Sequence, residues 1–427
     1  MKRYSEYKDS GVKWLGEIPR HWEVKRLASY FTERRVKVSD KEYEPLSVTK
    51  LGIFPQWENV AKTNDGDNRK LVRKGDFVIN SRSDRKGSSG VSNRDGSVSL
   101  INIVLKPRRT IKARYSNYLL KSYKFIEEFY RNGRGIVADL WTTRFDEMKM
   151  IKLAIPSIEE QEAIANYLDA ATSKIDAAIA QQQKMIDLLN ERKQIIINNA
   201  VTNGLDPNVS MKDSGVKWIG KIPEHWEVRK LGTIGSTING VSHDSSYFGE
   251  GEPFVSYSDV YKNYSLPKFV SGLAKSSKQE RRLFSVERGD VFFTRTSETA
   301  EEIGFTSTCL ETIPNAVFAG FLIRFRPNAN VLDPNFSKYY FRAHIHRSYF
   351  VKEMNLVIRA SLSQQLLKGL PILLPPLQEQ SVIASYLDGK INEVDLCLKN
   401  KTKQISLLQE RKQIIINDVV TGKVKVL

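Results

Sequence analysis

Two stretches of the chain carry apolar residues at helical spacing over a length that one globular domain does not use. In the first, Ile164, Leu168, Ala171, Ile175 and Ala178 follow in steps of 4, 3, 4 and 3, with Ile186 and Leu189 further along. This is a heptad-like seam. No Pro or Gly interrupts residues 158–201, good helix formers dominate, and Pro156 and Asn203-Gly204 supply start and stop signals. The pattern predicts one helix of roughly 60–70 Å. In the second stretch, residues 377–420, the stripe is Leu387, Ile391, Val394, Leu398, Ile405 and Leu408, and Gly389 weakens the helix without forbidding it. A domain of about 150 residues is only some 30–40 Å across, and a lone helix has nothing to bury its stripe against. The two helices are therefore expected to pack on each other, antiparallel.

The stretches are copies. EQEAIANYLD (160–169) matches EQSVIASYLD (379–388), and ERKQIIIN recurs letter for letter at 191–198 and 410–417, both at an offset of 219. A second pair opens each half: DSGVKWLGEIPRHWEVKRL at 9–27 against DSGVKWIGKIPEHWEVRKL at 213–231, an offset of 204. The chain is a tandem duplication with shared ends and divergent middles. Within the middles only VRKGDFVINSR (72–82) and VERGDVFFTRT (286–296) echo each other, and both read as a Gly-Asp turn entering a buried strand. A frame held constant around two different inserts is expected when each insert reads something different.

Charge separates the parts further. The 427 residues carry 66 Lys and Arg against 49 Asp and Glu, a net charge of +17. Residues 1–157 hold +14 and residues 207–375 hold +5, whereas 158–206 hold −4 and 376–427 hold +2. The inserts are the polyanion-facing parts, with nucleic acid ahead of membrane. No apolar run reaches about 18 residues, so no bilayer span is expected. The opening MKRYSEYKDSG lacks the apolar core of a secretory leader, and two cysteines cannot build a disulfide framework or a four-cysteine zinc site. A soluble, intracellular protein is expected.

Catalytic signatures are missing. There is no GxxxxGK[ST] phosphate loop, no HExxH, no nuclease-like acidic arrangement, and no Asn or Asp followed by Pro-Pro-aromatic as in amino-methyltransferases. Gly133 to Ala138 fits GxGxxA, but FIEEFYRN before it reads as a helix where a strand is required. His21 and His225 are repeat partners, which points to a frame role, and His344 and His346 sit at i and i+2, facing apart on a helix. Asp76 and Asp290 follow Gly at a strand entrance and read as turn residues. Cys309 and Cys397 have no His at a recognisable spacing.

The doubled order of segments, DSGVKW.G.IP.HWEV, then a divergent insert, a Pro-ended strand (Leu153 to Pro156; Leu373 to Pro376) and an EQ..IA.YLD helix, resembles the specificity subunits of type I restriction–modification systems over essentially the whole chain. The resemblance implies an α/β (α+β) fold with two target-recognition domains, residues 1–157 and 207–375, joined by two long antiparallel coiled-coil helices, 158–206 and 376–427, in a pseudo-two-fold repeat. It implies a non-catalytic subunit that reads a bipartite, asymmetric site in double-stranded DNA. Two methyltransferase and two restriction/translocase subunits would methylate adenine N6 and cut. S-adenosylmethionine, ATP and Mg are then expected on the partners and no cofactor on this chain. The setting is the bacterial or archaeal cytoplasm, at the nucleoid. Rival readings are a free-standing, repressor-like bipartite DNA-binding protein and a coiled-coil scaffold with a sequence-blind basic surface.

Within the inserts, Asn80, Ser81, Arg82, Arg85 and Lys86 after the first Gly-Asp strand are the candidate DNA contacts, with Thr294, Arg295, Thr296 and Ser297 in the matching stretch. Arg134, Thr142, Thr143 and Arg144, then Lys352, Arg359 and Ser361, complete the set near the end of each insert. Arg suits bidentate recognition of guanine and Lys suits phosphates. The Trp-rich frame segments do not differ between halves, so packing or partner docking is expected of them. Exchange of residues 1–157 for another recognition domain is expected to change one half-site in a methylation map. The other half-site and the spacer should stay as they are; a change in both halves would defeat the two-reader reading.

Overall fold

A computed structural model describes residues 2–56, 66–135, 141–297, 303–346, 349–350 and 360–426. The chain divides into two compact units, residues 1–183 with 402–427 and residues 184–401. Each division falls inside a long helix, the first running Ile158–Asn203 and the second Leu377–Val420. Both helices lie where the apolar spacing predicts them.

Each unit opens with the shared frame. A hairpin pairs Tyr7–Asp9 with Glu17–Pro19 in unit 1 and Met211–Asp213 with Lys221–Pro223 in unit 2. In its DSG loop the Asp side chain accepts the Gly amide, Asp9 from Gly11 at 2.9 Å and Asp213 from Gly215 at 2.8 Å. Both glycines take φ near +65 to +70°, at 63° and 71°, a region that favours Gly. The next strand, Glu23–Arg26 or Glu227–Lys230, pairs antiparallel with the strand that leads into the long helix, Lys152–Ile155 or Pro371–Leu374. The conserved ends of each repeat are thus hydrogen-bonded neighbours.

The EQ..IA.YLD motif is a docking code. At the start of the first long helix Glu160 accepts hydrogen bonds from Trp22 Nε1 (3.2 Å) and Tyr4 Oη (2.5 Å) and meets His21 Nε2 at 2.9 Å. In the second, Glu379 takes Trp226 Nε1 (3.1 Å) and His225 Nε2 (2.7 Å). The neighbouring Gln holds the chain from the other side: Gln161 accepts the Lys112 amide and donates to Thr110 and Pro156 carbonyls, and Gln380 does the same with Asp333, Val331 and Pro375. Two turns on, Asp169 accepts from Tyr118 Oη and Arg114, and Asp388 from Tyr339 Oη and Lys338. Burial alone would raise the Asp169 carboxyl, but hydrogen bonds from Tyr118 and Arg114 outweigh it and hold the group below its ordinary value. The stabilisation from this group is present above the usual carboxylate range and is lost as pH falls through the lowered value.

Each unit closes its core with the end of the helix from the other repeat. Ile415, Ile416, Val419 and Val420 of the second helix lie with Trp22, Ile164 and Leu168 in the unit 1 core. Ile197, Ala200 and Val201 of the first helix lie with Trp226, Ile383 and Leu387 in the unit 2 core. Asn417 accepts the Lys124 amide in unit 1, as Asn198 accepts that of Ile345 in unit 2. Lys412 pairs with Asp176 at 2.7 Å in unit 1 and Lys193 with Asp395 at 2.6 Å in unit 2, the antiparallel register that the stripes imply. Ile164, Leu168, Ile175, Leu387, Ile391 and Val394 are buried, and Ile186, Leu189, Leu398, Ile405 and Leu408 are half-buried.

The inserts share more than their sequences suggest. Each has a four-stranded antiparallel sheet in one order: Ser89–Val91, Phe77–Asn80, Asn102–Pro107, Phe31–Glu33 in unit 1, and Thr306–Thr308, Val291–Thr294, Leu322–Pro327, Gly235–Asn239 in unit 2. The Gly-Asp turns sit at matching places, with Gly75 and Gly289 at φ 92° and 97°. Asp76 accepts the Arg73 amide and a bidentate Arg34 at 2.6 and 3.1 Å. Asp290 accepts the Glu287 amide and a bidentate Arg326 at 2.6 and 2.7 Å. The turn reading of both aspartates holds. The partner arginine follows strand Phe31–Glu33 in one unit and lies in strand Leu322–Pro327 in the other. The three-stranded sheets differ: Gly96–Val98, Arg69–Val72 and Lys37–Val38 are antiparallel, whereas in unit 2 Phe248–Val255 pairs parallel with Val317–Phe318. The sheets are mainly antiparallel with helices apart from them, an α+β arrangement.

The Asp290 side chain is 1% exposed, so its removal strands a guanidinium with one remaining acidic neighbour. Asp290→Ala is expected to lower unfolding free energy by about 3 kcal/mol in urea titrations; a loss under about 1 kcal/mol would show that Arg326 finds water instead.

Candidate nucleic-acid interface

The sequence-predicted clusters of unit 1, some 60 residues apart, meet at one end of the four-stranded sheet. Strand Phe77–Asn80 ends beside the return segment, where Arg82 pairs through its backbone with Thr142, and Thr142 in turn with Arg134. The Ser81 carbonyl accepts the Thr143 amide at 2.9 Å, and Ser83 donates its amide to the Trp141 carbonyl at 2.9 Å. Asn80, Ser81 and Thr143 are buried. Asn80 accepts the Arg82 amide through Oδ1 and the Tyr130 hydroxyl through its carbonyl, and Thr143 Oγ1 donates to the Phe129 carbonyl at 3.0 Å. These bonds hold the loop in place, and Ser81 lies in the wall of the cleft beside it.

Arg82, Arg85, Lys86, Arg134 and Arg144 are exposed, and Thr142 is half-buried. Lys86 pairs with Glu127 at 2.8 Å, and Arg134 and Arg85 lie at 3.8 and 3.9 Å from Glu147 and Asp84. Arg82 and Arg144 line a cleft of about 560 Å³ with Arg35, Lys37 and Lys70, opposed by Glu33 and Asp146. Those three further cations escaped sequence reasoning. The signal available for two of them was the RRVK run at 34–37, in which Arg34 turns to Asp76 while Arg35 and Lys37 face the cleft.

Unit 2 repeats the junction in backbone and changes its side chains. The Arg295 amide donates to the Phe321 carbonyl at 2.9 Å and its carbonyl accepts the Leu362 amide at 2.7 Å. Thr296 and Ser297 pair with Ser361 and Ala360. The register makes Arg295 the equivalent of Ser81, and Thr296 the equivalent of Arg82. Thr294 is wholly buried, and among the described residues its hydroxyl has no hydrogen-bond partner. Arg295 and Thr296 are half-buried. Lys352 and Arg359 lie outside the described residues.

Two histidines and one cysteine singled out in the sequence lie outside this junction. His346 is buried and bonds the Tyr340 carbonyl, while His344 is exposed, so the two face apart. Cys309 is buried, which pushes its thiol up to about 12. No helix among the described residues is long and apolar enough to cross a membrane.

Residues 223–407 match the family described as the type I restriction modification DNA specificity domain. The chain is 26% identical to the putative type I restriction enzyme MjaX specificity subunit of Methanocaldococcus jannaschii, over 98% of both chains. It is 23% identical to the EcoKI specificity subunit of Escherichia coli K12, over 75% of this chain and 67% of that protein. Among solved structures, a chain from work on complex assembly and conformational transition of the type I R-M system superposes with a TM-score of 0.68 at 15% identity, covering 95% of this chain and 99% of that one. The HsdS subunit from Thermoanaerobacter tengcongensis gives 0.50 at 17% identity, covering 95% and 98%. The structural likeness shows the fold. The chain is similar to type I specificity subunits along its whole length, and residues 223–407 match their DNA specificity domain.

Arg82→Ala and Arg144→Ala are expected to weaken duplex binding by unit 1 about 5- to 150-fold if each contacts a guanine edge, with relaxed preference at that base pair. A contact to phosphate alone would instead weaken all sequences alike and reduce the salt slope by about 1. Unchanged affinity and salt slope in both variants would remove the cleft from the interface.

Proposed function

We propose that this chain is the sequence-specific DNA-recognition subunit of a type I restriction–modification complex, non-catalytic itself. It reads a bipartite, asymmetric site, one half per insert, and directs adenine-N6 methylation and restriction by its partners. The observation that carries this reading is the junction at the sheet end. Its backbone pairing is the same in both units, while the side chains it presents are Ser81, Arg82 and Ile101 in one and Arg295, Thr296 and Phe321 in the other. A constant frame with exchanged side chains is what two readers of different sequences require.

In this reading residues 1–157 and 207–375 are the target-recognition domains, and 158–206 and 376–427 are the spacer helices. Arg82, Arg85, Lys86, Arg134 and Arg144 serve the first half-site with Thr142, and Arg295 and Thr296 the second, with Ser297, Lys352, Arg359 and Ser361 assigned there from sequence alone. The long helices also offer apolar residues that the chain leaves uncovered. Leu188 and Ile195 of the first helix are about half exposed, and so are Leu407 and Ile414 of the second, at the same repeat offset of 219. Two equal apolar pairs suit two copies of one partner, and two methyltransferase subunits fit that need. The restriction/translocase subunits join through them. S-adenosylmethionine, ATP and Mg belong to the partners, and the assembly works on DNA in the cytoplasm. A free-standing repressor would have no use for the repeated apolar pairs.

A base-modification map of the host genome, with and without the gene, tests the proposal. Loss of N6-methyladenine from one bipartite motif is the expected result. A map that does not change, together with sequence-blind DNA binding by the chain and its partners, would overturn it.

A further inference from the structure

Ile101 and Phe321 occupy one place in the two inserts. Each precedes the third strand of its sheet, Asn102–Pro107 or Leu322–Pro327, and the registers match, Asn102 opposite Asn80 and Leu322 opposite Thr294. Ile101 accepts the Ser81 amide at 3.2 Å and Phe321 the Arg295 amide at 2.9 Å. Both side chains are apolar and uncovered, Ile101 at 39% and Phe321 at 65% exposure. A polar residue would be the default at such a turn. Two inserts that have otherwise diverged both keep an apolar group there, and of different shape.

The surroundings say what meets that group. In unit 1 Ile101 and Leu100 form the lip of the cleft that carries Arg35, Lys37, Lys70, Arg82 and Arg144, with Glu33 and Asp146 as its acids. In unit 2 Phe321 is hydrogen-bonded to Arg295 itself. An apolar tip among cations fits a ligand whose outline is anionic and whose inner edge holds an apolar group. Duplex DNA has that chemistry: phosphates outside, and on the major-groove edge of the bases one apolar group, the thymine 5-methyl.

We propose that Ile101 and Phe321 are specificity-determining residues, each packing on a thymine methyl in the half-site read by its own insert. The inference rests on the chain being a DNA-recognition subunit. It explains why the position stays apolar while its shape changes, since the methyl would stand at a different place in each half-site.

The test uses the full chain assembled with its methyltransferase partners and a duplex bearing the motif from the modification map. Thymines are replaced singly by deoxyuridine, which removes only the methyl. The intact assembly is expected to lose about fourfold in affinity at one thymine in each half, the effect of one buried methyl. Phe321→Ala should bind thymine and deoxyuridine duplexes alike in one half and keep discrimination in the other, and Ile101→Ala should do the reverse. Both side chains are exposed, so unchanged thermal unfolding of the variants checks that the fold survives. Full discrimination in both variants, no thymine-sensitive position, or a half-site without an A·T pair would each overturn the inference while leaving the recognition function in place. Absence of any specific motif in the unaltered assembly would overturn the function itself, and the inference with it.

Discussion

The structure depends on a carboxylate placed in the first turn of each long helix. Glu160 and Glu379 lie where the helix N-terminus favours negative charge, yet Glu160 is largely removed from water and must be satisfied by the protein. The donors come from the frame: an indole N–H and a histidine in each unit, with the Tyr4 phenol added in unit 1. Each carboxylate thereby ties the frame to a helix, and the adjacent Gln ties the same turn to the insert. Frame, insert and helix converge on two consecutive residues. That accounts for His, Trp, Glu and Gln recurring together in both copies, since each takes part in the same set of bonds between frame, helix and insert.

A second consequence of the duplication is reciprocal completion. Unit 1 takes its last core residues from the end of the second helix, and unit 2 takes its own from the end of the first. The ERKQIIIN segment is identical in the copies because it performs one task twice, ending with an Asn that caps a helix of the insert it reaches. Neither repeat is self-sufficient. The helices are therefore part of each recognition unit as well as the link between them, and a shift along their seam would disturb both cores.

Between these fixed points the inserts were free to change, and they did so unevenly. The four-stranded sheet and its Gly-Asp turn persist, with a buried bidentate Arg–Asp pair in each, although the arginine comes from different segments. What varies is the side-chain content at the sheet end and the three-stranded sheet beside it. Conserved backbone with exchanged side chains is an economical route to new specificity, because base-edge discrimination lies in a few groups while the chain path supplies their position.

Periodicity, repetition and turn chemistry were legible from the amino-acid order. The helical stripes, the frame, the buried Gly-Asp strands and the frame role of His21 and His225 all follow from it, because residues a few positions apart on a helix or strand are bound to share a face or alternate. The order of residues also shows where the two halves agree, and so where a common task lies. The echo of VRKGDFVINSR in VERGDVFFTRT already set Arg295 with Ser81 and Thr296 with Arg82, but the order could not show that Asn80, Ser81, Thr143 and Thr294 are buried. It equally hid Arg35, Lys37 and Lys70, which join the cleft from two other strands. Those facts depend on hydrogen bonds between segments 20 to 70 residues apart. Such pairings are set by which strands meet in the sheet, and a single residue of register decides whether a side chain faces the core or the solvent.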